Sequence, residues 1–244
     1  LRSNPTAVIF SFSEIRGEAF GKTWLKLTGG DPTAGPLRNS VPLIRTAAGV
    51  VLELGPGSGN QIQYMESSVI KTIYGAEPCE TLHEPLKNAA EKAGMGKKYH
   101  VLDCGGQRDS LYPQLQRAGL LGARPEGVFD TIISYKVLCS IPNLDDTVAA
   151  LYDVLKPGGR ILICEHVVNP WRTRRGSFVA RVIQALMMFI GWSFFLGGCE
   201  LDRKTTEVLK AAAEKDGGWE KVDLETVVEW GTLPFIIGEF VKKS

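Results

Sequence analysis

The reading of the fold turns on Gly49-Val50-Val51-Leu52-Glu53-Leu54, followed directly by Gly55-Pro56-Gly57-Ser58-Gly59-Asn60. The first half is a short apolar run rich in β-branched residues, the profile of a strand buried on both faces of a parallel sheet. It stops at glycine, where backbone has to turn tightly and approach a ligand with no Cβ in the way. The strand profile returns at Thr72–Glu77, Phe129–Ser134 and Arg160–Glu165, and more weakly at Tyr99–Asp103. Helical patterns occupy Cys79–Ala93 and Leu144–Leu155, the second stopped by Lys156-Pro157-Gly158-Gly159. Parallel neighbours need a crossover, and right-handed crossovers lay helices on both faces, so the alternation predicts an α/β, three-layer, doubly wound sheet. Towards the C-terminus only Glu229–Pro234 separates Lys221–Val228 from Phe235–Val241. That spacing predicts an antiparallel pair closing one edge of a mostly parallel sheet.

Working outward, 244 residues with 44% hydrophobic content can bury one full core. Against 27 acidic residues stand 28 basic ones, which leaves no broad positive field and excludes a partner bound mainly through nucleic-acid phosphates. Five cysteines (Cys79, Cys104, Cys139, Cys164, Cys199) and three histidines (His83, His100, His166) lie far apart, without CxxC or HExxH. No metal is expected from such spacing, and a reduced, cytoplasm-facing setting is. Cys199, with no His or acid beside it in sequence, reads as a small buried cysteine. Residues 1–49 read as a helical segment and linker, with apolar recurrences over Thr6–Leu27, and residues 50–244 as one domain. The chain starts at Leu1 and not at Met, which gives the expectation that something upstream was removed, and the sequence leaves open whether that piece was a targeting segment or a membrane anchor. An insertion at about 167–201 holds Arg172, Arg174 and Arg175 and then the apolar run Phe178–Leu196, interrupted by Arg181 and Gln184. It is too short to span a bilayer and reads as a lid over an apolar acceptor, with peripheral membrane contact as the secondary reading. The sequence assigns no oligomeric state.

The glycine loop narrows the ligand. A dinucleotide site wants GxGxxG, but here the glycine comes one place early and Asn60 holds the third position; nor does Gly-Lys-Ser/Thr follow. GxGxG after Glu53 suits a ligand with an adenosine and no pyrophosphate. Glu77, at the tip of the second strand, can accept both ribose hydroxyls, and Asp103, at the tip of the third, can accept from an adenine amino group. Together with the Pro157-Gly158-Gly159 turn, these residues favour S-adenosylmethionine.

These residues resemble the class I S-adenosylmethionine-dependent methyltransferases: Val51–Gly59 is similar to their first motif, Gly75-Ala76-Glu77-Pro78 to their second, and Leu155–Arg160 to the turn before their fifth strand. Val137–Ile141, Glu165-His166-Val167, Trp192 with Gly198–Arg203, and Pro234–Gly238 resemble the membrane-anchored thiol methyltransferase branch of animals. Phe235 stands where that branch usually has histidine. The resemblance implies the Rossmann-like methyltransferase fold and S-adenosylmethionine as cofactor, with Glu53, Gly55, Pro56, Gly57, Ser58, Gly59, Glu77, Pro78, Asp103, Cys104, Ser134 and Tyr135 as the expected contacts. It also implies residence in the cytoplasm or on the cytosolic face of an internal membrane.

Methyl transfer from a sulfonium is an in-line displacement that asks mainly for positioning and exclusion of water. A thiol acceptor needs little help from a base. The candidate catalytic residues, all at strand tips or after the insertion, are Tyr135, Glu165, His166 and Asp202, with His166 best placed in pKa. The expected function is methylation of a small lipophilic acceptor, a thiol ahead of an alcohol or amine. The alternative is an enzyme of this fold whose bound cofactor promotes a cyclisation or rearrangement without methyl transfer.

Overall fold

The computed structural model describes residues 35–122 and 127–244. The expected helices within Thr6–Leu27 and part of the loop at Leu120–Gly127 lie outside the described residues. A 3-10 turn, Gly35–Asn39, leads into helix α1 (Ser40–Arg45). Then follow β1 (Gly49–Leu54), β2 (Ile70–Ala76), α2 (Glu80–Lys92), β3 (Tyr99–Leu102), α3 (Arg108–Arg117), β4 (Phe129–Tyr135), α4 (Leu144–Val154) and β5 (Leu155–His166). The insertion carries α5 (Phe178–Phe189) and α6 (Trp192–Phe195), and the chain ends with α7 (Thr205–Ala211), β6 (Lys221–Val227) and β7 (Phe235–Val241).

All seven strands form one sheet in the order β3-β2-β1-β4-β5-β7-β6. β1 pairs in parallel with both β2 and β4, while β7 runs antiparallel to β5 and to β6. The doubly wound sheet and its antiparallel edge are therefore present where the sequence pattern placed them. Successive side chains of a strand point to opposite faces. Leu52 and Leu54 accordingly join one buried cluster with Phe129, Ile132, Val148 and Leu151. Val51 joins another on the far face with Ile73, Leu86, Tyr99 and Ile133. Covering both faces makes β1 and β4 nearly continuous apolar runs, and it makes any charge on them conspicuous.

Candidate active site

The strand order reverses between β1 and β4, and the crevice above their carboxyl ends is where sheets of this kind bind ligands. The loop after β1 lies there. Gly55 has φ +49°, and a Cβ on it would meet Val137 Cγ2, from the loop after β4, at 2.7 Å. Gly59 has φ +80°, and its Cβ would stand 2.8 Å from Ala89 Cβ on α2. Only glycine gives both the left-handed backbone and the close approach. The loop is held from the next strand: Gly57 N–H donates to Glu77 Oε2 at 2.9 Å, and Cys79 N–H to Glu77 Oε1 at 2.9 Å. Glu77 is buried, and burial raises its pKa against the lowering pull of these two amides.

Glu53 is buried on the far face, where Tyr99 Oη donates to its Oε2 at 2.6 Å. Burial pushes Glu53 up to about 7 despite that bond. Tyr99 reaches it across β2 because residue 75 is glycine; a Cβ there would collide with the Tyr99 hydroxyl. At the rim, Asp103 is mostly exposed, and His83 Nε2 lies 4.0 Å from Asp103 Oδ1 and 2.8 Å from the Glu77 carbonyl oxygen. Cys104 is buried, its thiol pushed up to about 12 by burial. Tyr99 and His83 are the two neighbours of the expected contacts that sequence reasoning missed. Their signal was the Gly75 gap and a histidine one helical turn into α2.

The tips of β4 and β5 are organised by Glu165. It is fully buried, and its Oε1 accepts from Ser134 Oγ at 2.8 Å, Val137 N–H at 2.8 Å and Leu138 N–H at 3.1 Å. Burial raises its pKa against these three donors. Glu165 thus fastens the turn after β4, where Lys136 takes a left-handed φ of 61° that costs a non-glycine residue strain. Tyr135 points into the far core, its hydroxyl 3.3 Å from Ser40 Oγ on α1. Asp202 pairs with Arg181 at 3.8 Å. Of the four candidates, His166 stands in different company.

Dispersed in sequence, Cys139, His166 and Cys199 meet in the fold, contrary to the expectation from spacing. His166 Nε2 lies 3.0 Å from Cys199 Sγ, and Trp192 Nε1–H donates to the same sulfur at 3.3 Å. The Cys199 thiol is pulled down, first by its hydrogen bond with Cys139 and then by His166, against burial. The same shared bond, with burial, pushes the Cys139 thiol up. Phe235 packs its ring edge-on to His166, with centroids 6.0 Å apart.

The insertion straps this cluster down. Glu200 N–H donates to the Cys139 carbonyl at 2.8 Å, and the Arg203 guanidinium donates to the carbonyls of Leu138 and Ile141. Helix α5 is turned inside out. Its buried residues are Ala180 and Gln184, while Val182, Leu186 and Phe189 are exposed, Phe189 at 88%. Gln184 makes this arrangement tolerable: its amide accepts from Asn169 N–H and donates to the carbonyls of Leu201 and Thr232. The expectation that the apolar run roofs a pocket is corrected accordingly, because the two residues that interrupted the run, Arg181 and Gln184, face inward and most of the apolar ones face out. Among the described residues no helix is long and apolar enough to cross a membrane.

A family model described as a methyltransferase domain matches residues 33–205. Among solved structures, the [4+2]-cyclase SpnF aligns with a TM-score of 0.58 at 15% identity, covering 85% of this chain and 81% of that one. An O-methyltransferase family protein from Burkholderia thailandensis aligns at 0.57 and 13% identity, covering 93% of this chain and 60% of its own. TYW2 from M. jannaschii, solved in complex with AdoMet, aligns at 0.52 and 15%, covering 86% and 77%. At such identities these likenesses show the fold alone.

Proposed function

The chain belongs to the methyltransferase-domain family, and from that premise we propose that it transfers a methyl group from S-adenosylmethionine to a small lipophilic acceptor, a thiol ahead of an alcohol or amine. The observation that carries this reading is the glycine loop at the switch point, tied by Gly57 N–H to Glu77. Each Glu77 oxygen accepts one amide and keeps lone-pair capacity for a ribose hydroxyl. Asp103, mostly exposed at the tip of β3 and 4.0 Å from His83, is the acceptor assigned to an adenine amino group in this reading. The Cβ positions of Gly55 and Gly59 are taken by Val137 and by Ala89, so glycine at these places seats the loop tightly against the turn after β4 and against α2 and fixes its path at the switch point.

When bound, the cofactor supplies an activated methyl carbon on a positively charged sulfur. In the overall reaction the acceptor's S–H bond breaks and a sulfur–methyl bond forms. The methyl carbon's bond to the sulfonium would break as the new bond forms, which would leave a neutral thioether and release one proton. The chain's own work is to hold the loop, through Glu77, and the turn after β4, through Glu165, so that acceptor and methyl meet in line. Glu165 has a positioning role, Tyr135 is taken up in the far core beside Ser40, and His166, beside two polarizable sulfurs, stands nearest the requirements of a sulfur acceptor.

The outward face of α5, together with exposed Arg172, Arg174 and Arg175, supports peripheral contact with an anionic membrane surface from the cytosolic side, a route by which a lipophilic acceptor would reach the enzyme. A second reading, cofactor-assisted cyclisation without transfer, is kept because a [4+2]-cyclase shares the fold. Incubation with methyl-labelled cofactor and a panel of alkyl thiols, alcohols and amines tests both. Label in a thioether product supports the first reading, whereas consumption of an acceptor with no demethylated cofactor formed would replace it with the second.

A further inference from the structure

Cys139 follows β4, His166 ends β5, and Cys199 lies in the insertion, so three chain segments deliver one soft donor each to a single point. One ligating atom from each residue lies within 4.8 Å of the other two. A tetrahedral zinc ion, with bonds of about 2.3 Å to sulfur and about 2.0 Å to nitrogen, spaces its donors about 3.5–3.8 Å apart. His166 Nε2 and Cys199 Sγ, at 3.0 Å, are slightly closer than that, and adjustments of about an ångström bring all three into register. The ring nitrogen that faces the sulfurs is Nε2, and His166 is more than nine-tenths buried, so the imidazole is held towards both thiols inside the fold.

We propose that Cys139, His166 and Cys199 form a zinc site, with two thiolates and one imidazole as ligands and a fourth position open to the acceptor. Two thiolates with an imidazole select a soft or borderline cation over calcium or magnesium, which take oxygen ligands. Three protein ligands, rather than four, are the pattern of zinc sites that bind a reacting group. The location agrees with that role. Val137, two residues before Cys139, fills the space beside Gly55 of the glycine loop, and Glu165, next to His166, holds the amides of Val137 and Leu138. His166 then serves as a ligand rather than a base.

The ligand set stands on the geometry alone; the fourth position rests on the thiol reading given above. An incoming thiol would lose its S–H proton to solvent as its sulfur joins the metal, and no electrons change hands. Metal loading likewise releases whatever thiol protons remain on Cys139 and Cys199.

The test begins with the reduced protein, stripped by a chelator, given Zn2+ alone, desalted and weighed by native mass spectrometry. About one zinc per chain is expected, lost in Cys199→Ser and His166→Ala and kept in Cys104→Ser, which lies outside the cluster. A wild-type chain that retains no zinc, that instead forms a Cys139–Cys199 disulfide under these conditions, or whose Cys199→Ser variant retains as much as wild type would overturn the site. Co2+ in the wild-type chain gives a check that no unfolded variant can confuse: a sulfur-to-cobalt charge-transfer band is expected, and its absence overturns the site. A small alkyl thiol should shift that band. An unshifted band beside measurable thiol methylation would remove the acceptor's place on the metal, whereas a loaded site with no transfer to any thiol would remove the thiol reading and leave the ligand set standing.

Discussion

The backbone N–H of Gly57 donates to Glu77 Oε2 at 2.9 Å, so the acid ending one strand shapes the glycine loop that ends its neighbour. Removing it takes away a loop anchor and, on the function proposed above, a ribose acceptor as well. Glu77→Ala is expected to weaken S-adenosylmethionine binding by more than about tenfold in calorimetry. Glu77→Gln, which keeps one acceptor oxygen, should lose less. Equal affinity in all three proteins would remove the ribose role.

Gly59 and Gly94 both have left-handed backbone, but only Gly59 is crowded: its Cβ would meet Ala89, Ile62 and Leu86, while nothing lies within 4 Å at Gly94. Gly59→Ala should therefore cost about 2–4 kcal/mol in urea unfolding, and Gly94→Ala only about 1 kcal/mol of backbone strain. Similar losses at the two positions would mean that α2 does not pack on the loop.

Glu53 gives a pH signature. Its folded-state pKa, about 7, lies above the ordinary 4.5, so the folded chain binds the proton more tightly than the unfolded one. The stability this contributes is complete below about pH 4.5 and is lost as pH rises through about 7. Glu53→Gln keeps an acceptor for Tyr99 and stays neutral at every pH. Relative to wild type the variant should gain roughly 2–4 kcal/mol between pH 4.5 and pH 8, read from urea midpoints. A constant difference across that range would show that Glu53 is already ionised in the fold.

Gln184 tests the inverted helix. With Leu in its place, the Leu201 and Thr232 carbonyls and the Asn169 N–H lose their partner. Opening of α5 should then become easier by about 1–3 kcal/mol, and proteolysis within residues 178–196 roughly tenfold faster or more. An unchanged cleavage rate would mean that other contacts hold the insertion.

Peripheral membrane contact calls for the exposed apolar side chains of α5. Replacing Leu186 and Phe189 with serine should reduce co-sedimentation with anionic vesicles several-fold, and added salt should weaken what remains through the arginines. Vesicle binding that is indifferent to both would place the contact elsewhere.

The sheet was legible because buried parallel strands announce themselves as apolar runs and glycine stops. Gly49–Leu54 and Phe235–Val241 run in the structure between the same residues as in the sequence reading. The loop and its acid were legible because backbone approach demands glycine at fixed places. The cluster of Cys139, His166 and Cys199 was not, since its members lie on a loop, a strand end and an insertion, and no local spacing encodes which loops meet. Nor was the orientation of α5. An apolar run specifies that a face wants cover but not on which side the cover lies, and only the tertiary partners of Gln184 decide it. Tyr99 was hidden for a related reason: a tyrosine on β3 reaches Glu53 on β1 only because the strand between them carries glycine.

The most direct measurement is titration of the wild-type chain with S-adenosylmethionine in a calorimeter, followed by the same titration with S-adenosylhomocysteine. Saturable binding of each at about one site per chain, competitive between the two, is the expected result. Absence of saturable binding by either compound in a folded chain would contradict the assignment of the crevice between β1 and β4 as a nucleoside site.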